Sequence, residues 1–169
     1  MRVVIQRVLS ASVSVDGNKI SEIGRGLCIL VGIGTDDSNQ DLDYILSKVL
    51  SIRLFSDSNP PSQSTQAEEL IRTEPTQKKH WSRNVKDIEG EILCVSQFTL
   101  MAKTKKGSKP DFHNAMGSES SRKFYEEFLS KMRASYNQDR IKDGEFGAMM
   151  DVQIVNEGPV TIVIDSKDR

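Results

Sequence analysis

The chain has 169 residues, of which 37% are hydrophobic and 28% are charged, and this composition indicates one soluble globular domain rather than a disordered chain. The formal net charge is −1, which argues against a protein that binds nucleic acid with its whole surface, so any RNA contact needs a local basic patch. No apolar run is long enough to span a membrane and no signal peptide opens the sequence, so a cytoplasmic location is expected.

The first third of the chain reads as β-structure. Residues 2–9 (RVVIQRVL) alternate as a strand does, and Arg7 falls on the mainly apolar face, where an arginine needs a partner. Residues 11–23 predict a β-hairpin, because Asp16-Gly17 favours a type I′ turn. The continuous apolar run at 27–33 (LCILVGI) indicates a central strand that is buried on both faces.

A helix and an irregular segment follow this β-structure. Apolar residues recur with helical spacing over 39–52, after possible N-caps at 36–38, and predict an amphipathic helix packed on the sheet. Residues 53–55 are expected to begin a short strand. Prolines and polar residues over 58–79 predict a flexible surface insertion without a catalytic role. Trp81, the only tryptophan, is expected to anchor packing.

A second apolar run contains unusual polar residues. Residues 91–101 (EILCVSQFTLM) read as a strand that is interrupted by Ser96, Gln97 and Thr99. Such side chains are costly to bury without hydrogen bonds, so they indicate either internal pairing or a site. The loop that follows is basic, with lysines at Lys103, Lys105, Lys106 and Lys109. It is either solvated surface or a phosphate-binding element.

The last third predicts a second helix and two final strands. Ser118 or Ser120 is expected to cap the helix, and its buried stripe comprises Phe124, Tyr125, Phe128, Leu129 and Met132. Strand-like runs at 149–155 and 160–165 flank Asn156-Glu157-Gly158-Pro159-Val160-Thr161. The Gly-Pro pair is either a plain turn or a rigid element that presents backbone carbonyls, since an X-Pro bond can be cis.

This order of elements predicts an α+β fold. We expect a single domain over residues 1–169, in which a curved, barrel-like β-sheet has its helices packed outside. The two cysteines, Cys28 and Cys94, lie in apolar runs and are expected to be buried rather than reactive. No ligand cluster indicates a metal, and no sequence motif indicates a cofactor.

The histidine inventory offers little for nucleophilic catalysis. His80 and His113 are the only histidines. A triad of Ser96, His113 and Asp111 is conceivable, but Ser96 in the middle of a strand does not match the strained turn that such nucleophiles occupy.

Two motifs together resemble a known family. SQFTL at 96–100 and NEGPVT at 156–161 are similar to the D-aminoacyl-tRNA deacylases, which are homodimeric chiral proofreading enzymes. The similarity extends to residues 1–8, 103–113 and 142–150, whereas 58–79 is longer than the family's usual connection. The resemblance implies hydrolysis of the ester in D-aminoacyl-tRNA, and to some extent in glycyl-tRNA, with no cofactor.

The resemblance also implies roles for individual residues. Ser96, Gln97, Phe98 and Thr99 would act at the ester, and the substrate's 2′-OH would assist the attacking water. Gly158 and Pro159 of a Gly-cis-Pro motif, flanked by Asn156 and Thr161 and braced by Arg7, would enter the partner subunit's pocket and reject L-amino acids. Phe146 and Met150 would line the pocket for the terminal adenosine, and the lysines would contact tRNA phosphates.

Two other functions stay open from the sequence. One is a non-catalytic nucleic-acid-binding homodimer, which a strongly basic tail would favour, although residues 164–169 (IDSKDR) are mixed in charge. The other is a purely structural dimer. The combination of the SQFTL and NEGPVT motifs favours the enzyme over the structural dimer.

Overall fold

The computed structural model describes residues 1–56, 80–105 and 107–169, so the predicted insertion at 58–79 and Lys106 lie outside the described residues. The described chain contains six strands, two α-helices and two short 3₁₀ helices. The strands are β1 (Arg2–Val15), β2 (Asn18–Ile23), β3 (Gly26–Gly32), β4 (Glu91–Ser96), β5 (Ile141–Asp143) and β6 (Asp151–Asp165). The helices are α1 (Asn39–Ser51), α2 (Ser118–Ser135) and the 3₁₀ helices Phe98–Met101 and Gln138–Arg140.

One mixed sheet organises the molecule. Its strand order is β2-β1-β3-β4-β5, and β6 pairs with the other edge of β1. β1 runs antiparallel to β2, β3 and β6, whereas β4 is parallel to both β3 and β5. The two ends of the sheet approach each other, since the Ser21 hydroxyl donates to the Asp143 carbonyl at 2.7 Å. The predicted α+β domain with a curved, barrel-like sheet is confirmed.

The sheet separates two apolar layers. The larger layer lies between the sheet and the two helices, and it includes Ile5, Ile29, Ile45 and Phe128. The smaller layer lies on the concave side of the sheet, and its buried members are Val8, Ala11, Val13, Ile23, Cys28, Leu93 and Val95. Alternate residues of β3 and β4 enter opposite layers, which explains why both strands are continuous apolar runs. Both cysteines are buried, as predicted.

Several local predictions are confirmed and two are wrong. Asp16 and Gly17 both have positive φ, at 49° and 78°, as a type I′ turn requires. Helix α1 begins after Ser38 as expected. Helix α2 is capped by Gly117 instead of a serine, and Ser118 is its first residue. The strand expected at 53–55 is only an isolated bridge between Phe55 and Arg83.

The predicted boundaries of two strands are also wrong. β4 ends at Ser96, and the rest of the SQFTL motif turns into the 3₁₀ helix Phe98–Met101. The two runs expected at 149–155 and 160–165 form one continuous strand, β6, which pairs with β1 on both sides of the Gly-Pro pair. The motif is therefore neither a turn nor a loop between two strands.

A buried carboxylate joins the start of α1 to the C-terminal segment. Asp41 is 3% exposed and accepts hydrogen bonds from the Ser38 amide and hydroxyl at 2.9 Å and from Lys167 at 3.0 Å. Burial raises the pKa of Asp41, but hydrogen bonds from Ser38, Lys167 and Ser166 outweigh burial and hold it well below its ordinary value.

No described helix is long and apolar enough to cross a bilayer.

Replacing this carboxylate should destabilise the fold in a pH-dependent way. Asp41→Asn should lower the free energy of unfolding at neutral pH by about 1–3 kcal/mol, because charge-assisted hydrogen bonds are lost. The folded pKa lies below the unfolded value of about 3.9, so the wild-type advantage is complete above about pH 4 and diminishes as pH falls further. Urea unfolding between pH 7 and pH 3 measures this difference.

The matched control for this prediction is Asp43→Asn in the same helix. Asp43 pairs with Lys131 on the surface, and its loss should cost no more than about 1 kcal/mol. An Asp41→Asn effect that stays constant from pH 7 to pH 3 would contradict the prediction.

Candidate active site

A pocket of 580 Å³ lies at the C-terminal end of β4. It contains five of the residues that the sequence indicated: Ser96, Gln97, Phe98, Phe146 and Met150. The remaining wall comes partly from residues that sequence reasoning had given no binding role, including Ala115, Ser118, Ser121 and Val152. Ser118 was considered only as a possible helix cap and Ser121 was not considered, since a serine near a helix start carries no signal for a pocket.

The segment 96–101 is fixed against the end of the sheet. The Gln97 amide donates to the Val31 carbonyl at 2.8 Å, and Arg2 donates to the Leu100 carbonyl at 2.6 Å. A Cβ at Gly32 would lie 2.8 Å from Leu100 Cβ, so only glycine lets the 3₁₀ helix pack this closely on β3. Arg2, which the sequence analysis did not single out, therefore positions the wall of the pocket.

Polar groups of the SQFTL motif converge at this turn. The Gln97 side-chain amide donates to the Thr99 hydroxyl. Phe98 and Thr99 begin the 3₁₀ helix, so their amide N–H groups have no acceptor within it. Thr99 is exposed beside the pocket without being part of its lining. A side-chain amide, two hydroxyls and two backbone amides thus cluster within four consecutive residues.

The Gly-Pro pair forms a bulge in β6. Val8 pairs with Asn156 and Arg7 with Val160, so residues 157–159 stand outside the strand register between β6 and β1. The Gly158-Pro159 peptide bond is cis, as the resemblance implied, and both residues are exposed. Gly158 has a φ of +116°, and a Cβ there would lie 2.9 Å from Val160 Cγ2 and 3.1 Å from Arg7 Nη2.

Arg7 holds this bulge from the neighbouring strand. Its Nε donates to the Glu157 carbonyl at 3.3 Å and lies 3.3 Å from the Glu157 carboxylate, and its Nη1 donates to the Leu54 carbonyl. The Trp81 ring centre lies 5.8 Å from the Arg7 guanidinium carbon. Trp81 is 53% exposed, so it packs on Arg7 at the surface and not in the core.

The bulge and the pocket lie apart within one chain. Neither Gly158 nor Pro159 lines the pocket. Ser96 of β4 is level with Val31 of β3 and Val3 of β1, whereas the bulge in β6 is level with Arg7 of β1. Along the strands, Ser96 and the bulge are therefore four residues apart, which is roughly 13 Å. Across the sheet, from β4 to β6, they are three strand spacings apart, which is roughly 14 Å.

The basic loop is closed at its base by a pair of backbone hydrogen bonds. The amides of Lys103 and Asp111 donate to each other's carbonyls at 2.8 and 2.9 Å. Lys103, Lys105 and Lys109 are all exposed. Asp111 also accepts hydrogen bonds from the His113 amide and ring, which lower its pKa.

The conceivable Ser-His-Asp triad is not assembled. His113 pairs with Asp111, but its side chain is 93% exposed, and no hydrogen bond joins Ser96 to His113 in the described part of the chain. The mid-strand position that was predicted for Ser96 is wrong, because Ser96 lies at the end of β4. The missing contact between Ser96 and His113 argues against the triad directly.

Cys28 is not a reactive thiol. Burial raises its pKa to about 12, so the thiol is protonated at neutral pH.

Phe146 is less open for stacking than the resemblance implied. The Arg122 guanidinium carbon lies 4.7 Å from its ring centre, and Tyr125 packs against it at 5.7 Å. Arg122 also donates to the Phe146 carbonyl at 3.3 Å. The sequence gave no signal for this contact, because Arg122 lies on the polar side of α2, 24 residues before Phe146.

Comparisons with known proteins identify the family of this chain. A family model described as D-Tyr-tRNA(Tyr) deacylase matches residues 4–165. The D-aminoacyl-tRNA deacylase of Saccharomyces cerevisiae is 47% identical over 98% of this chain and 99% of its own length. The enzyme of the same name from Dictyostelium discoideum is 46% identical over the full length of both.

A solved structure is also similar over nearly the whole chain. The c-Myc DNA unwinding element binding protein superposes with a TM-score of 0.84 at 45% identity, and the match covers 98% of both chains. The family model and the near full-length relatives confirm the resemblance carried by the two motifs, and the chain belongs to the D-Tyr-tRNA(Tyr) deacylase family.

Proposed function

We propose that this protein hydrolyses the ester of D-aminoacyl-tRNA to free tRNA and a D-amino acid. The observation that carries the proposal is the pocket at the end of β4, where Ser96, Gln97 and Phe98 form one wall. Its support is the near full-length similarity to enzymes named D-aminoacyl-tRNA deacylase. Chiral proofreading in translation would be the consequence, and a cytoplasmic location stays a prediction.

Hydrolysis of this ester requires mainly hydrogen-bond donors that are held in position around the ester carbonyl. Water adds to the ester carbonyl, the carbonyl oxygen gains negative charge, and the ribose 3′ oxygen leaves with a proton. The amides of Phe98 and Thr99, with Gln97 or Ser96, would stabilise the developing oxyanion. The neighbouring 2′-OH of the substrate would orient the water, and Phe146 and Met150 would pack against the terminal adenosine.

Selection for the D-isomer would come from the Gly-Pro bulge of a second copy. In this proposal the Gly158 and Pro159 carbonyls contact the amino group and the Cα–H of the substrate, between Asn156 and Thr161. An L side chain would collide with the bulge, so selectivity arises by rejection. Glycine has no side chain to collide, and glycyl-tRNA would also be hydrolysed to some extent.

A homodimer is supported by the exposed edge of the sheet. β6 has 15 residues and pairs only with β1 among the described strands, so no described strand lies along its outer edge. Val155 and Val163 are exposed on this strand, Val163 to 64%. Long apolar edges are normally covered, and two copies related by a twofold axis would create two equivalent sites.

The lysine loop would bind the RNA backbone. Lys103, Lys105 and Lys109 are exposed on one loop near the pocket, and Lys106, which lies outside the described residues, belongs to the same sequence cluster. Lysines of this kind supply salt-dependent affinity without reading sequence.

A non-catalytic nucleic-acid-binding dimer is the second candidate. The similarity to a DNA unwinding element binding protein favours it, because that likeness covers nearly the whole chain. Tight binding of DNA without ester hydrolysis would support this alternative.

Side-by-side hydrolysis of D-Tyr-tRNA and L-Tyr-tRNA tests the enzymatic function. Wild type should cleave the D ester and spare the L ester. Thr99→Ala and Gln97→Ala should each lower the single-turnover rate on the D ester, by about 10-fold or more, because each removes a group that orients water or stabilises the oxyanion. Gln40→Ala, at an exposed position of α1, should leave the rate unchanged.

Two results would remove these assignments. Cleavage of neither ester above the rate in buffer would refute the enzyme and favour the binding alternative. Full single-turnover rates in both Thr99→Ala and Gln97→Ala would exclude these side chains from the reaction.

The bulge can be tested through Gly158. Gly158→Ala should lower D-Tyr-tRNA hydrolysis by about 10-fold or more, because the new Cβ displaces Arg7 or Val160 from the bulge. Gly17→Ala is the matched control: it also has a positive φ, but a Cβ there has no atom within 4 Å. Both variants carry backbone strain, and Gly158→Ala adds a clash, so thermal unfolding should show some destabilisation of both and more in Gly158→Ala. At a temperature at which both variants are folded, only Gly158→Ala should lose activity. Equal activity in the two variants would contradict the role of the bulge.

A further inference from the structure

Two phenylalanines, the exposed Phe98 and the half-buried Phe112, form an aromatic pair beside the pocket. The ring centres of Phe98 and Phe112 lie 5.0 Å apart at an angle of 66°, an edge-to-face contact. Phe98 is 58% exposed although it lines the pocket. A large aromatic side chain at the mouth of a pocket is a position where a ligand, rather than the core, can cover it.

The pair also stands at the base of the lysine loop. Phe98 begins the 3₁₀ helix that leads into Lys103, and Phe112 directly follows Asp111. The backbone hydrogen bonds between Lys103 and Asp111 hold the two ends of this loop together. Pocket, aromatic pair and exposed lysines therefore form one continuous path over the surface.

Aromatic side chains combined with flexible cations are the usual means of binding single-stranded nucleic acid. Bases stack on the rings, and the cations follow the phosphates without selecting sequence. Phe146, which is proposed to pack against the terminal adenosine, has little free ring surface for a second base, because Arg122 and Tyr125 pack against its ring. Phe98 contacts its neighbour edge to face, and more than half of its surface is open.

We propose that Phe98 and Phe112 form a stacking platform for the unpaired nucleotide that precedes the terminal adenosine of the substrate. Lys103, Lys105 and Lys109 contact the phosphates of the same single strand beyond it. This inference rests on the proposed function and adds a subsite for RNA outside the pocket. In this inference the Phe98 ring binds a base, whereas the Phe98 backbone amide acts at the ester. Phe112, which has no part in the proposed hydrolysis, supports the same base.

The test uses Phe112→Leu, because Phe112 lies outside the pocket lining and leucine keeps an apolar side chain there. Three esters differ only in the length of RNA: D-Tyr-tRNA, the D-tyrosyl ester of the trinucleotide CCA, and D-tyrosyl-adenosine. The variant should raise KM for the tRNA and for CCA by about 5-fold or more, with kcat unchanged. KM for D-tyrosyl-adenosine should stay at the wild-type value.

Two control variants distinguish a loss of base stacking from a general loss of stability or activity. Phe124→Leu removes a partly buried ring on α2 and should not change the ratio of KM values among the three esters. Lys105→Ser combined with Lys109→Ser should reduce the slope of log KM against log salt for the tRNA by about 1.4, since each single-strand phosphate contact contributes about 0.7.

Equal effects of Phe112→Leu on all three esters, or no effect on any, would overturn the platform. An unchanged salt slope in the lysine variant would overturn the phosphate contacts. Direct titration of the protein with uncharged CCA and with adenosine makes the test independent of hydrolysis. If wild type cleaves no ester, the proposed function falls, whereas a selective loss of CCA affinity in Phe112→Leu still supports the platform.

Discussion

The hydrogen bond from Arg7 to the Glu157 carbonyl is the interaction on which the candidate site depends. Residues 157–159 stand outside the strand register between β6 and β1, and Arg7 contacts Glu157 across this interruption. Arg7 can hold them because it lies on the central strand of the sheet, with its guanidinium also bound to the Leu54 carbonyl and covered by Trp81. A planar donor with several N–H groups suits this role better than a lysine. An interruption of strand pairing thereby becomes an ordered, exposed bulge.

The bulge and the SQFTL motif lie in different parts of the sheet. The SQFTL motif lies at the Arg2 end of β1, where Gly32 allows close packing, whereas the bulge lies several residues away at Arg7. A single chain thus holds polar groups suited to ester hydrolysis in one place and a candidate chirality filter in another. In the proposed homodimer, the bulge of one copy would serve the pocket of the other. The exposed Phe98 ring and the lysine loop then mark the side from which RNA would approach.

The sequence predicted most elements but missed the details that build the site. Alternation, apolar runs and turn chemistry identified β1, β3, the hairpin and α1, since these depend on local patterns. The end of β4 was missed because Phe98, Leu100 and Met101 continue an apolar pattern, while the turn is imposed by contacts to Gly32 and Arg2. The cis bond was expected only from family resemblance. The pairing of Phe98 with Phe112 and the packing of Arg122 on Phe146 were not predicted, since neither follows from local periodicity.

Complementation between two inactive variants tests the central claim, that the bulge of one copy serves the pocket of another. Gly158→Ala and Thr99→Ala chains are each assayed alone on D-Tyr-tRNA, and then after unfolding and refolding as an equal mixture. If the sites are shared, half of the dimers are mixed and each mixed dimer carries one intact site, so activity should recover to about a quarter of the wild-type value. Activity no greater than the mean of the two separate variants would contradict the shared site.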